Sequence, residues 1–494
     1  MMTRMWCVVR GAWAFPAIAA LLAVSAPRRL AAQGFDRSRP PVVAAPPAFV
    51  TPRVETARLP NGITIDLVRM TELPLVDVEL MIGSAGARMD GDRSGIALFT
   101  ANMLDEGAGD RDALGIAAQA AYLGADLSTG ADWDYAEVSL SVPTRSLDSA
   151  LALMADVVLR PRFKGSEVQK QRDLRLANLV SARDVPGAVN NVVLSALLFP
   201  AGHPYHRPAD GDSAAVAVYD SAMVRTFYEA QYQPDRATFV VAGDLTMAEA
   251  KRLIAARFGG WRQDRMARRD PPAAAQLPPA TDRATRIFLV DKPGAAQSVI
   301  ALARPGVDRA SPDYYALQVM NTILGGSFSS RLNQELRETK GWTYGAGSGF
   351  AYRPVPGPFR ASAAVRTDVT DSSLMEFERQ IALIRDAMVD TVELQRAQAY
   401  LALSLPGDFE TTGQVAAQVS GMLRFGQPFT YWNGYVQNVM KVTRADVQRV
   451  ARQYLDPSRM TIVIVGDLAK IRPGIEATHV GPVEVRNVVG DPVP

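Results

Sequence analysis

Apolar and polar residues alternate in VDVELMIG (76–83) and YAEVSLSV (135–142), and apolar residues run almost unbroken in RIFLVD (286–291) and QSVIALAR (297–304). A period of two puts successive side chains on opposite faces, so these segments predict strands. Apolar spacing of three and four predicts helices over GIALFTANML (95–104), SLDSALALMADVVL (146–159), SEVQKQRDLRLANLVSA (166–182), PDYYALQVMNTIL (312–324) and SLMEFERQIALIRDAM (373–388). Ordered structure is expected from about ARLPNGITIDLVRM (57–70), where Asn61-Gly62 makes a turn into a strand. Runs of strands followed by paired helices, rather than strict β–α alternation, predict an α+β fold with mostly antiparallel sheets packed by helices.

The pattern repeats. QYQPDRATFVVAGDL (231–245) resembles QYLDPSRMTIVIVGDL (453–468), and Pro234/Pro457, Arg236/Arg459 and Gly243/Gly466 all lie 223 residues apart. The helices before them, MVRTFYEAQ (223–231) and DVQRVARQY (446–454), keep the same offset. A shared offset through helix, turn and strand predicts two tandem homologous domains, 55–266 and 285–476. A Pro/Ala-rich linker (267–284) joins them, and residues 477–494 form a C-terminal tail.

The N-terminus changes the picture. Arg4 and Arg10 precede a short apolar run, AWAFPAIAALLAVSA (12–26), and small residues precede Gln33. That is the layout of a cleavable secretory signal, 1–32, followed by a Pro-rich tether, 33–54. It predicts a periplasmic or secreted protein with no stable membrane span after cleavage. The one cysteine, Cys7, lies inside the signal. The mature chain therefore has no disulfide and no thiolate ligand or nucleophile. Charge is nearly balanced, 53 Lys+Arg against 51 Asp+Glu, which gives nucleic-acid binding no support. The basic run WRQDRMARRD (261–270) sits beside the linker and reads as solvated chain.

Candidate chemistry concentrates in LGGSFSSRLNQELRETKGWTYGAGSGF (324–350). Gly325 and Gly326 are expected to take backbone conformations closed to other residues, and Ser327 to Ser330 to cap the following helix. Arg337 and Tyr344 stand across the end of that helix. Taken as residues alone, they read as a solvated arginine and a packed tyrosine.

This segment, together with LPNG (59–62), GHPY (202–205) and the two Gly-Asp-Leu strand ends, resembles the pitrilysin/insulinase family of zinc peptidases, the inverted zincins. The resemblance implies two tandem domains of the mitochondrial-processing-peptidase-like metallohydrolase fold. In that family an H-x-x-E-H helix supplies two zinc ligands and the general base, and a glutamate further on supplies a third ligand. Laid on GIALFTANML, those positions are Leu98, Ala101 and Asn102, and the distal one is Asn178. Leucine has no lone pair, alanine accepts no proton, and asparagine offers zinc only a neutral amide oxygen. His203 and His206 have no third ligand in sight. No cofactor is expected in this chain.

The family's second structural half carries an arginine and a tyrosine that match Arg337 and Tyr344, implying substrate binding and oxyanion stabilisation. Gly325, Gly326 and Ser327 lie beside them. The resemblance also implies an extended peptide on a sheet edge near GADLSTGADWDYAEV (124–138), at Leu127, Ser128 and Thr129. Trp133 and Tyr135 there read equally as packing. Some bacterial members split the work between two chains, one holding zinc and the other the Arg/Tyr pair. The expectation is a non-zinc-binding subunit of a periplasmic hetero-oligomeric metallopeptidase, inactive alone, with a homologous zinc-binding partner and a peptide substrate. The alternative is a stand-alone peptide-binding or structural pseudopeptidase.

Overall fold

The longer strands assemble into two six-stranded sheets in the computed structural model, which describes residues 49–264, 269–270 and 277–493. The signal segment, Cys7, most of the tether and part of the linker lie outside the described residues. The first sheet contains β1 (Val54–Arg58), β2 (Thr64–Arg69), β3 (Leu75–Gly83), β4 (Asp126–Ala131), β5 (Tyr135–Pro143) and β6 (Ala237–Gly243), in the order β1-β2-β6-β3-β5-β4. The second contains β7 (Arg286–Asp291), β8 (Gln297–Pro305), β9 (Thr343–Phe350), β10 (Pro358–Arg366), β11 (Thr461–Gly466) and β12 (Val483–Arg486), in the order β12-β7-β11-β8-β10-β9.

The two orders are the same order. β2 runs parallel to β6 and β7 parallel to β11, while β3 and β8 each pair antiparallel on both sides. Register agrees as well: Met81 faces Thr238 and Glu137, and Ala303 faces Thr461 and Arg360. The fold is mixed sheet and helix, two sheet-plus-helix domains, as the sequence pattern predicts. The first strand begins at Val54, where β1 pairs along β2. An added strand, β1 or β12, ends each sheet on one side, and β4 and β9 are the terminal strands on the other.

Each sheet packs one face on helices of its own half. Val76, Val78, Leu80 and Ile82 of β3 share the first core with the helix Leu147–Leu159, which packs on β5. The opposite faces are covered by an exchange. Helix α3 (Pro186–Leu198) belongs to the first half in sequence. Its Val189, Val193, Leu194 and Leu197 sit at helical spacing and pack on Phe288, Val290, Ala301, Ala303, Val463 and Val465 of the second sheet. Helix α5 (Thr412–Arg424) returns the favour: Val415, Ala416, Val419 and Met422 cover Val68, Met81, Val240 and Ala242 of the first sheet. Full burial of such side chains stabilises by roughly 1.5–3 kcal/mol each. Asn190 on α3 donates to the backbone oxygen of Val463 at 2.9 Å, pinning helix to strand. Polar contacts tie the halves further: the Ser420 hydroxyl donates to Glu79, and Arg424 lies 2.6 Å from Asp132 and 3.3 Å from Asp134.

Candidate functional site

Helix α4 (Tyr314–Leu324) ends at the glycine pair. Gly325 has φ −157° and Gly326 is not in the left-handed region, so backbone conformation is not the reason for glycine here. The reason is close approach. A Cβ on Gly325 would stand 2.3 Å from the Ser348 nitrogen, and one on Gly326 2.6 Å from the Asn321 amide. The Gly325 carbonyl accepts from the Ser348 N–H at 3.1 Å, locking the turn to β9. The expected serine caps are also corrected. Ser330 occupies the cap position, but its hydroxyl is buried without a partner, and the Ser327 hydroxyl donates back to the Thr322 carbonyl at 3.1 Å.

The chain then makes one α-turn, Arg331–Asn333, and widens into a π-turn, Gln334–Thr339, that carries Arg337. Such widened turns recur at functional positions. Buried Leu332 and Leu336 anchor the turn. Gly341, at φ +63°, leads into β9. The β9–β10 register slips between Thr343 and Ala346, a bulge that re-aims the side chain it contains. Tyr344 sits in that bulge and is 89% exposed, its phenol presented to solvent rather than packed. The Arg337 guanidinium lies 3.3 Å from Glu338 and 4.8 Å from the centre of the Phe328 ring. Behind the pair, Lys340 pairs with buried Glu376, which also accepts from Arg379 and Gln380, each at 2.7 Å. Burial pushes the Glu376 carboxyl up, but these three donors outweigh it and hold its pKa at about 2.

The zinc positions lie in the other half. Leu98, Ala101 and Asn102 fall on helix α1 (Ile96–Asn102), which packs against β4. Leu98 is half-buried. Ile96, Ala97, Phe99 and Ala101 do the packing, with Ala101 wholly enclosed. Asn178, on helix α2 (Gly165–Ala182), is exposed. Among the described residues, no three His, Cys, Asp or Glu side chains come together to hold a metal ion, so the residues present do not fit zinc. His203 is committed elsewhere. Its Nδ1 accepts from the Tyr205 N–H at 3.0 Å, its ring stacks on Phe199, and burial with nearby Arg88 and His206 lowers its pKa to about 4. His206 Nδ1 is bonded to the Phe199 carbonyl at 2.7 Å.

The site residues thus fall into two groups. Arg337, Tyr344, Gly325, Gly326 and Ser327 cluster around β9. Leu127, Ser128 and Thr129 lie on the terminal strand β4, beside α1. Between the halves lies a cavity of about 990 Å³, lined by Gly347–Phe350 of β9 and the following Ala351, Arg360 and Ser362 of β10, one side of α3, the end of α2, the 208–213 loop and Trp133. Arg353 is also in the lining, its guanidinium 4.8 Å from the Trp133 ring centre and 4.4 Å from that of Tyr205. Sequence reasoning missed this cavity. Its one signal was YGAGSGF, in which every second residue is glycine and one face of a strand is bare.

Comparison with known proteins adds the following. Residues 70–200 match the family described as insulinase (peptidase family M16), and residues 220–401 match the one described as the peptidase M16 inactive domain. An uncharacterised zinc protease of Mycobacterium tuberculosis is 30% identical over 304 residues, 61% of this chain and 67% of the relative. Subunit 1 of the bovine mitochondrial cytochrome b-c1 complex is 25% identical over 56% of each chain. The crystal structure of a peptidase M16 inactive domain from Pseudomonas fluorescens covers 84% of this chain and 98% of its own, with a TM-score of 0.77 and 28% identity. A Helicobacter pylori protease is similar in fold, with a TM-score of 0.77 at 19% identity over 84% of this chain and 99% of its own.

Proposed function

The chain belongs to the insulinase family, peptidase family M16, and from that premise we propose that it is the zinc-less subunit of a periplasmic hetero-oligomeric metallopeptidase. One observation carries the reading: none of the four zinc-site positions holds a histidine or a glutamate, yet Arg337 and Tyr344 are both kept, and a bulge turns Tyr344 outward to 89% exposure.

On this reading a homologous partner supplies metal, water and general base, and this chain closes the chamber. The Arg337 guanidinium donates to backbone carbonyls of the peptide and fixes its register. The Tyr344 phenol donates a hydrogen bond to the carbonyl oxygen as it gains charge. Donors placed where charge develops lower the barrier, and loss of one costs about 10²- to 10³-fold in rate. The Glu376–Lys340 pair and the Gly325–Ser348 bond hold the turn between them in place.

The test is co-purification with a partner that carries H-x-x-E-H. Arg337→Ala and Tyr344→Phe are expected to cut kcat by about two orders of magnitude or more while zinc content by elemental analysis stays constant. Unchanged peptidase rates would remove the role given to the pair.

A further inference from the structure

Arg360 is a cation without an acid. Its Nη1 donates to Asn191 and its Nη2 to Asn190 at 3.2 Å, while its Nε is buried without a partner. Among the described residues it forms no ion pair. Burial holds its pKa below the ordinary guanidinium value, and no neighbouring charge contributes. Asn190 cannot neutralise it. That neutral amide is fully buried and is itself held by the Val463 carbonyl at 2.9 Å. Arg360 is half-buried, and a partly desolvated guanidinium whose hydrogen bonds all go to neutral amides is suited to receive an anion.

The surroundings specify which kind. Arg360 pairs in register with Gly349 on the terminal strand β9, and both line the inter-half cavity. A Cβ at Gly349 would meet nothing within 4 Å, and its φ is not positive. The fold does not demand glycine there, and the missing side chain leaves the space beside Arg360 open. Val189 and Val192 of α3 and Leu179 of α2 make the walls apolar. Asp210 and Asp212 also line the cavity, and Asp212 is already engaged by the Ala215 N–H and, at 3.6 Å, by Arg207. Arg183 and Arg353 line it too, so the charge around Arg360 is mixed in sign. A single carboxylate on an apolar, extended body fits, and about 990 Å³ accommodates several residues.

We propose that this cavity binds an extended peptide segment through one carboxylate, with Arg360 as its receptor and Gly347–Gly349 as its bed. The peptide nature of the body rests on the function proposed above; the carboxylate follows from Arg360 itself. The pseudo-equivalent position in the first sheet is Glu137, of opposite charge, so the preference belongs to this half alone.

The carboxylate has two possible sources, an acidic side chain or a free C-terminus, and the test separates them. Three fluorescent hexapeptides are titrated into the purified full chain and followed by anisotropy. One has a central Glu and an amidated end, one has Gln in its place with the same amide, and one has Gln with a free C-terminus. At least one carboxylate peptide is expected to bind about tenfold or more tighter than the neutral twin, and its identity names the source. Arg360→Met is expected to abolish the discrimination, and circular dichroism checks that the variant remains folded, since the Asn190 and Asn191 amide oxygens lose their donor. Gly349→Leu, which fills open space, is expected to weaken every peptide. Equal binding of all three by wild type, or discrimination that survives Arg360→Met, overturns the proposal. Equilibrium binding to this chain alone involves no turnover, so loss of the Arg337–Tyr344 role would leave this result standing, and the reverse also holds.

Discussion

Replacing Glu376 by Gln should loosen the turn that carries Arg337 and Tyr344, and the size of the effect follows from the geometry. The carboxylate is 4% exposed and accepts from Lys340, Arg379 and Gln380. Burial opposes its ionisation, but the three donors win and take its pKa from 4.5 to about 2. At about 1.4 kcal/mol for each tenfold change in acidity, that displacement sets a ceiling of about 3.5 kcal/mol. Lys340 and Arg379 are themselves 26% and 50% exposed and remain solvated when the acid is gone, which lowers the expected cost of Glu376→Gln to about 2 kcal/mol. For a half of this size that is a fall in melting temperature on the order of 4–8 °C. The sign of the pH dependence is fixed. A depressed carboxyl pKa stabilises above the unfolded value and loses that contribution as pH falls from about 4.5 to about 2. Thermal unfolding followed by circular dichroism should show wild type and Glu376→Gln well separated at pH 7 and converging near pH 2. An equal separation at both pH values, or none at pH 7, would refute the reasoning.

Gly325→Ala should destabilise by about 1–3 kcal/mol, because its Cβ would meet the Ser348 backbone at 2.3 Å, and backbone cannot move aside cheaply; urea midpoints measure this. Glu79 behaves opposite to Glu376. Burial, helped by Glu137 and Asp77, outweighs the Ser420 hydrogen bond and raises its pKa to about 7. Its contribution is complete below about pH 4.5 and is lost as pH rises through 7, so Glu79→Gln should flatten the decline in melting temperature between pH 5 and 8.

Much of this architecture was legible in the chain. RIFLVD and QSVIALAR form strands at nearly the predicted boundaries because a buried strand needs only a short apolar run. The 223-residue offset between Gly243 and Gly466 reappears as a shared strand order. Long-range packing was not legible. Val189, Val193 and Leu197 announce an amphipathic helix but not which sheet it covers, and here it is the sheet of the other half. The outward turn of Tyr344 depends on a register slip set by β10, and the need for Gly325 depends on Ser348, 23 residues away in sequence. Arg360 was invisible as a site, since nothing in PFRASAAVR, which holds both Arg360 and Arg366, declares which of them lacks an acid.

The traded helices also set a timetable for synthesis. Val68, Met81, Val240 and Ala242 are all translated by the end of β6, but the residues that cover them, 415–422, follow about 170 positions later. At ordinary translation rates that interval is on the order of ten to thirty seconds. Throughout it the nascent first half carries a greasy, unshielded surface, so it cannot mature vectorially as an independent module. The whole polypeptide must be delivered before either half is finished, which makes the growing chain a natural client for a holding chaperone.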